Sequence, residues 1–567
     1  MKLVIIGGVA GGATAAARAR RISEKAEITI VERGPYVSYA NCGLPYHISG
    51  DIQKRSRLLL QTPEGFDSRY GVKVLTETEA LKIDRASKQV RIRGPEGESF
   101  LPYDKLILAQ GGRPIIPAVE GADAPNVFTI WTVPDMDLIN EHIEKKKPSS
   151  AVIAGGGFIG LEMAEALTRR AIQTTVVELT PRLMPNLDAE LGFMIAQRLE
   201  ARGVRVVTGK GIKAVDTARG DVELTDGTRV PGAMVLLAVG VRPETTLARA
   251  AGLTLGETTA VLVDHTMQTS DPDIYAVGDM VEVVHRVLGR KVRMPLAGPA
   301  NRQGRVAASN ALGLSMRYAG ALGTSVVKVF DAAASSTGLS ESAARAAGLD
   351  AGAAVVVKEH HAGYYPGAHE LYLKLVYDRG TGKVLGAEAF GEEGVEKRID
   401  VVATALAAGM TLQQVAELDL AYAPPFSSAN DPVNMAAFVG LNDMSGFSPL
   451  ITAGALRHLL DGRRVEGAPG ESARADGVPL ILDVRTLNEF ETSHVKGATH
   501  IPLDELRFRL EEVPHGRPVV LYCRSGYRSH LALRILKENG FSDVRNVTGG
   551  FLSIAADGGF ELEENRG

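Results

Sequence analysis

Two glycine clusters constrain this chain more than any other feature. Residues 3–6 form a short apolar run that reads as a buried parallel strand; Gly7-Gly8-Val9-Ala10-Gly11-Gly12 follows, and an alanine-rich stretch from 13 to about 22 reads as a helix. The next strand, 27–31, ends at Glu32. The plan then repeats. Residues 151–154 run into Gly155-Gly156-Gly157-Phe158-Ile159-Gly160, a helix from 161 to about 170, and a strand from 174 to 177 that ends at Glu178. In a βαβ unit such glycines permit a tight turn and close approach to a pyrophosphate, the helix N-terminus faces the phosphate, and the acid meets ribose hydroxyls. Gly155, Gly157 and Gly160 satisfy G-x-G-x-x-G fully. In the first cluster the middle position is Val9, so Gly8 or Gly11 has to supply the clearance; alone, that cluster also suits a glycine-rich turn of any α/β protein.

A third strand type closes the first unit. Residues 104–109 run into Gln110-Gly111-Gly112-Arg113-Pro114, and far downstream Asp273-Ile274-Tyr275-Ala276-Val277-Gly278-Asp279 is another strand ending in Gly-Asp. A carboxylate at Asp279 can hold the ribityl hydroxyls of a flavin, while Gly278 admits it. The chain therefore starts one nucleotide domain, inserts a second and returns to the first. Glu178 favours NADH, because a carboxylate repels a 2′-phosphate, although Arg182 lies close in sequence.

At 567 residues the chain has room for about three to five domains. A hydrophobic content of 45% and a net charge of −4 make it soluble and globular and exclude nucleic acid and anionic membranes as expected partners. No apolar run approaches the ~18 residues of a membrane span. The opening Met1-Lys2-Leu3-Val4-Ile5-Ile6 turns into glycine too early for a secretory leader. Two cysteines, Cys42 and Cys523, cannot build a disulfide scaffold, so a reducing, cytoplasmic setting is expected. Thr14, Arg18 and Arg21 share one face of the first helix, which suits either a solvated face or a stripe that docks phosphate.

Residues 1 to about 440 resemble the pyridine nucleotide-disulfide oxidoreductases. Ser38-Tyr39-Ala40-Asn41-Cys42-Gly43-Leu44-Pro45-Tyr46 resembles their single-cysteine branch, the coenzyme A disulfide reductases and NADH oxidases or peroxidases. Relatives of glutathione reductase type carry C-x-x-x-x-C, whereas position 47 here is His47, a satisfied polar residue rather than a base. The resemblance implies FAD, NADH (or NADPH), a coenzyme A substrate and a homodimer. It implies FAD contacts at Gly7, Gly8, Gly11, Gly12, Glu32, Arg33, Ala80, Ala109, Gly111, Gly278, Asp279, Ala297 and Ala300, and nicotinamide contacts at Gly155, Gly157, Phe158, Ile159, Gly160, Glu178 and Gly240. It turns Thr14, Arg18 and Arg21 into coenzyme A contacts and adds Ser38, Asn41, Asn301 and Asn430 on the substrate side. Family members often carry lysine near 70, where this chain has Tyr70. Tyr364 and Tyr422, more than Tyr365, resemble two tyrosines that the partner subunit places beside the cysteine. The pair His360-His361 lacks companions at metal-ligand spacing, so no metal is expected.

With no second thiol nearby, Cys42 must bond to an external sulfur when oxidised, or form a sulfenate. Its thiolate is the reactive form, and a helix N-terminus after it is expected to lower its pKa.

From 473 onward, Asp483-Val484-Arg485, His494-Val495-Lys496-Gly497-Ala498 and Cys523-Arg524-Ser525-Gly526-Tyr527-Arg528-Ser529 follow in the order of a rhodanese domain, with a helix expected at 530–539. The Cys-x4-Arg spacing has the sulfur-carrying length, which makes Cys523, Arg524 and Arg528 catalytic candidates and leaves Asp483, Arg485 and His494 structural. The fold class is α/β with one α+β domain: an FAD-binding Rossmann-like domain (1–112 and 241–320) with an inserted NAD(P)H-binding Rossmann-like domain (113–240), an α+β dimerisation domain (321–446), a linker (447–472) holding one short helix and the small-residue run Glu466-Gly467-Ala468-Pro469-Gly470, and a rhodanese-like α/β domain (473–567).

The whole chain resembles the fused coenzyme A disulfide reductase–rhodanese proteins. The implied activity is NAD(P)H-dependent reduction of coenzyme A persulfide, polysulfide or disulfide at Cys42, with Cys523 relaying sulfane sulfur. The alternatives are a coenzyme A disulfide reductase or NADH oxidase using a Cys42 sulfenate and, from another class, a sulfurtransferase whose flavoprotein part senses redox state.

Overall fold

The computed structural model describes residues 1–461 and 478–564, and the run 466–470 lies outside them. The chain divides into two compact units, residues 1–181 with 203–323, and 182–202 with 324–567.

In the first unit, Lys2–Ile6 lies in a five-stranded parallel sheet ordered Ile274–Ala276, Lys105–Leu108, Lys2–Ile6, Glu27–Val31, Lys73–Leu75. Leu3, Ile5, Ile30, Leu106, Ile107 and Ile274 are fully buried, as continuous apolar strands covered on both faces should be. Ile274–Ala276 pairs with Lys105–Leu108, so the returning segment completes the sheet that the N-terminus starts. Ala10–Ile22 covers one face and packs along Ala297–Ala311. The approach is close: a Cβ at Gly304 would stand 2.3 Å from the Gly11 carbonyl oxygen. The inserted sheet is ordered Arg205–Thr208, Gln173–Glu178, Ser150–Ala154, Met234–Leu237, Val127–Phe128, again parallel. Gly112–Pro114 and Val241–Pro243, where both expected domain crossings fall, form a two-stranded antiparallel ribbon.

In the second unit an antiparallel sheet is ordered Ser325–Val329, Ala332–Gly338, Val384–Gly391, Glu370–Asp378, Ala351–Glu359. Helices Val395–Ala408 and Pro432–Met444 pack on it. Lys374 is fully buried in that sheet. It meets Asp188 at 2.8 Å, Glu341 at 2.8 Å and Glu190 at 3.4 Å, which ties the helix Ala189–Ala201 to the sheet. Such a desolvated cation persists only with this density of partners.

The C-terminal sheet is parallel and ordered Leu450–Ile451, Val544–Val547, Val519–Tyr522, Leu480–Asp483, Thr499–His500. This corrects the expected linker. Leu450–Ile451 is an edge strand of the module, and the helix Ala453–Leu460 packs Leu456 into its core. The strand is only two residues long, and Thr452 caps the helix by accepting the Ala455 N–H. The helix after Cys523 also starts earlier than expected, at Tyr527–Glu538, because Gly526 takes φ +103° and turns the chain into it.

Candidate functional site

The first unit holds two matching turns. Gly7 and Gly155 both have positive φ, +99° and +110°, and each loop returns its strand-end acid to the turn. The Gly8 N–H donates to Glu32 Oε2 at 2.8 Å, and the Gly156 N–H donates to Glu178 Oε2 at 2.7 Å. A Cβ at Gly157 would meet no atom within 4 Å, so that turn presents open backbone, flanked by half-buried Phe158 and Ile159 and by buried Gly160. Gly8 and Gly11 instead face Val37 and Val277, at 2.6 and 2.9 Å from a would-be Cβ, and Gly12 crowds the Gly7 carbonyl. The substitution at Val9 is thus accompanied by glycines that the protein's own packing demands.

Ala109, Gly111 and Gly278 line the carboxyl ends of this sheet, and the Gly278 N–H donates to buried Gln303 at 2.7 Å. Burial lifts the Asp279 carboxyl to about 6, opposed by Arg293. Buried Ala300 lies beside Gly278, while Ala297 and Arg33 are exposed and Ala80 sits at a bulge in Glu79–Asp84. Gly240 takes φ +113° just before the ribbon.

Cys42 lies in a 3₁₀ turn, Asn41–Gly43, ahead of the short helix Leu44–Ile48, and it is exposed. Asn41 Oδ1 accepts the Cys42 N–H at 3.1 Å. Ser38, four residues before the thiol, holds φ +49°, uncommon for a side-chain-bearing residue and typical of constrained sites. Tyr46 donates to Glu162 Oε1 at 3.0 Å, and desolvation lifts the Glu162 carboxyl to about 7. The expectation of a lowered thiol pKa is corrected here. Desolvation, then Glu162 and Asp279, push the Cys42 thiol up. The five-residue helix behind it has too few aligned peptides to offset them. His47 meets the Ile52 carbonyl at 2.5 Å, a satisfied structural contact.

The basic face of the first helix extends beyond the residues the sequence reading named. Thr14 donates to Asn301 Oδ1 at 3.0 Å, and Arg18 Nε donates to Ser309 at 3.0 Å, both across the two packed helices. Desolvation, then the neighbouring charges of Arg305 and Arg21, hold Arg18 below the usual guanidinium range. Arg305 escaped the sequence reading because it joins the stripe only through helix packing.

In the second unit, Tyr364 and Tyr422 bring their hydroxyls within 3.1 Å of one another, with 77% and 47% of their surfaces exposed. Tyr365 stands edge-on to His361, and Asn430 exposes its side chain while its carbonyl accepts Lys358 at 3.2 Å. Among the described residues no group of three His, Cys, Asp or Glu is arranged to hold a metal.

Cys523 ends the strand Val519–Tyr522 and is buried. Its Sγ accepts the Gly526 N–H at 3.1 Å and the Ser529 hydroxyl at 3.4 Å, from the first turn of the following helix. Glu489 forks Arg528 at 2.7 and 2.7 Å, which holds the Glu489 carboxyl down at about 2 and aims the guanidinium at the sulfur. The sequence marks Glu489 only as the end of a Thr486-x-x-Glu489 capping box, not as the partner of Arg528. Asp483 and Arg485 form a buried pair at 2.6 Å, and His494 bridges the Phe490 carbonyl and Glu563, which suits the structural roles expected of all three.

Residues 1–304 match the model of pyridine nucleotide-disulphide oxidoreductases, residues 324–432 that of the dimerisation domain of the same family, and residues 471–557 that of rhodanese-like domains. The chain belongs to the pyridine nucleotide-disulphide oxidoreductases. An NAD(P)H sulfur oxidoreductase (CoA-dependent) of Pyrococcus abyssi is 36% identical over 77% of this chain and 97% of its own length. Among solved structures, reduced CoADR-RHD of Bacillus anthracis is similar over 98% of both chains, with 41% identity and a TM-score of 0.93. An NAD-dependent persulfide reductase from A. fulgidus is similar over 97% of this chain and 99% of its own, with 39% identity and a TM-score of 0.88. The family uses FAD and NAD(P)H, and this chain fits both. The desolvated Asp279 carboxyl suits polyol hydroxyls, and the open backbone at Gly157 suits a pyrophosphate. No helix of the described residues is long and apolar enough to cross a membrane.

Proposed function

We propose that this protein reduces coenzyme A persulfide, polysulfide or disulfide with NAD(P)H, using Cys42 as its redox sulfur, and that Cys523 relays sulfane sulfur to that reaction. One observation carries the reading. Cys42 is an exposed free thiol beside the FAD-type fold with no resolving cysteine, since the only other one, Cys523, is buried in the rhodanese-like module. Its oxidised form is therefore a bond to an external sulfur or a sulfenate, and with sulfur substrates it is the bond to the substrate.

With R–S–SH, the Cys42 thiolate attacks the inner sulfur, a Cys42–S–S–R bond forms, and hydrosulfide leaves with the bonding pair. Two electrons then return the thiolate and release RS⁻, and the two departing sulfurs take up protons to give RSH and H₂S. Bound flavin supplies the two-electron path from nicotinamide to sulfur, held by the Gly7–Gly12 turn, Glu32, Gly278 and Asp279. Arg18, Arg21 and Arg305 offer the coenzyme's phosphates a cationic face, and the Thr14–Asn301 hydrogen bond adds polar groups from the same two helices. Glu178 favours NADH over NADPH through the ribose hydroxyls. The exposed, apposed hydroxyls of Tyr364 and Tyr422, with Asn430 nearby in sequence, fit a homodimer in which each subunit serves the other's cysteine. There a phenol protonates the leaving sulfur.

Sulfide released per NADH consumed tests the reading. Coenzyme A persulfide should give one sulfide per NADH, Cys42→Ser should abolish turnover, and Tyr364→Phe with Tyr422→Phe should lower kcat by about 100-fold. Oxygen uptake of equal rate without any sulfur substrate would instead mark an oxidase.

A further inference from the structure

The two arginines of the Cys523 loop are held in different ways. Arg528 is forked by Glu489 of its own module. Arg524, adjacent to Cys523, reaches out of the module. Its Nη1 and Nη2 donate to Oε1 and Oε2 of Glu370 at 2.5 and 2.8 Å. Glu370 opens the strand Glu370–Asp378 of the dimerisation-type sheet in the same unit.

The surrounding backbone is pinned. The Phe551 and Leu552 N–H groups donate to the carbonyls of Cys523 and Arg524 at 2.7 and 3.1 Å. The Val355 N–H donates to buried Thr548 at 2.7 Å, and the hydroxyls of Tyr372 and Ser553 meet at 3.4 Å. The Arg524–Glu370 fork, by contrast, is half in solvent, with side-chain exposures of 47% and 48%. A partly exposed fork of this kind exchanges partners at small cost. A guanidinium accepts any planar or oxygen-rich anion in the same two-point geometry.

We propose that Glu370 is a positioning residue that sets donor specificity at the rhodanese-like site. Its carboxylate stands in for an anionic sulfane donor on Arg524, and such a donor displaces it on the way to Cys523. The proposal rests on the reading of Cys523 as a sulfur carrier. Thiosulfate illustrates the step. The Cys523 thiolate attacks the outer sulfur, a new S–S bond forms at Cys523, the donor's S–S bond breaks, and sulfite leaves with the bonding pair. Charge is conserved, and no outside oxidant or reductant enters. An uncharged donor has no claim on Arg524 and does not compete with Glu370.

The test uses the full-length holoenzyme carrying Glu370→Gln or Glu370→Ala, an excess of a small thiol acceptor, and two donors, thiosulfate and dissolved elemental sulfur. Both variants should lower KM for thiosulfate by about two- to fivefold, the range of a half-exposed ion pair, with kcat unchanged. KM for elemental sulfur and the NADH-dependent reduction of coenzyme A persulfide should stay at wild-type values, and the thiosulfate effect should shrink in high salt. An unchanged or raised KM for thiosulfate, or an equal change for both donors, overturns the proposal. Cys523→Ser separates the two layers. Thiosulfate transfer that survives it refutes the carrier reading itself, whereas transfer lost in Cys523→Ser but unaltered in both Glu370 variants refutes only the role of Glu370.

Discussion

A thiol flanked by two carboxylates is an awkward nucleophile, and Cys42 is one. Glu162 titrates at about 7 and Asp279 at about 6, and each raises the cost of a thiolate once it is charged. Replacing Glu162 by Gln removes one of those charges. The alkylation rate of Cys42 by iodoacetamide should then rise severalfold above pH 7, where wild-type Glu162 is ionised, and should match wild type well below it. Its pH midpoint should move downward; an upward move would contradict the assignment. At the second sulfur, Arg528→Lys loses the fork to Glu489, and sulfurtransfer should fall by about tenfold or more, as expected for a charged hydrogen bond, with flavin-side turnover intact. Both cysteines and the acids Glu32, Glu178 and Asp279 were legible because each sits beside its own glycine turn or strand end. Glu162, Glu489 and Glu370 were not, since their partners Tyr46, Arg528 and Arg524 lie 116, 39 and 154 residues away along the chain.

Among elements, the helices Ala10–Ile22 and Ala297–Ala311 form the most closely packed pair beside the first glycine turn. It supports the first turn and assembles the cationic stripe. The helices touch at Gly11 and Gly304, so Gly304→Ala should force them apart, with a loss of about 1–3 kcal/mol in thermal or denaturant unfolding and faster loss of flavin on gel filtration. Sequence periodicity showed both helices but not their packing, so Thr14, Arg18 and Arg21 could be read as one face while Arg305 could not be joined to it. The strand Leu450–Ile451 failed for a different reason. Two apolar residues are too few to register against small neighbours until the sheet they join is known.

At the scale of the molecule, the order of domains was readable because each brings its own motif, and dinucleotide turns and sulfur loops are local in sequence. The glue between segments was not. Lys374 looks like any strand lysine until Asp188, Glu190 and Glu341 close on it. Lys374→Met should cost about 3–5 kcal/mol by stranding three buried carboxylates, read as a lower unfolding midpoint. The strand Ala351–Glu359 is the outermost of its sheet, and Thr548 of the C-terminal module accepts one of its outward N–H groups. An uncovered margin of that kind invites other chains to add on. The rhodanese-like module is thus also a cornice over an open ladder, and any version of this polypeptide that ends before it must blunt the same ladder by other means or stick to itself.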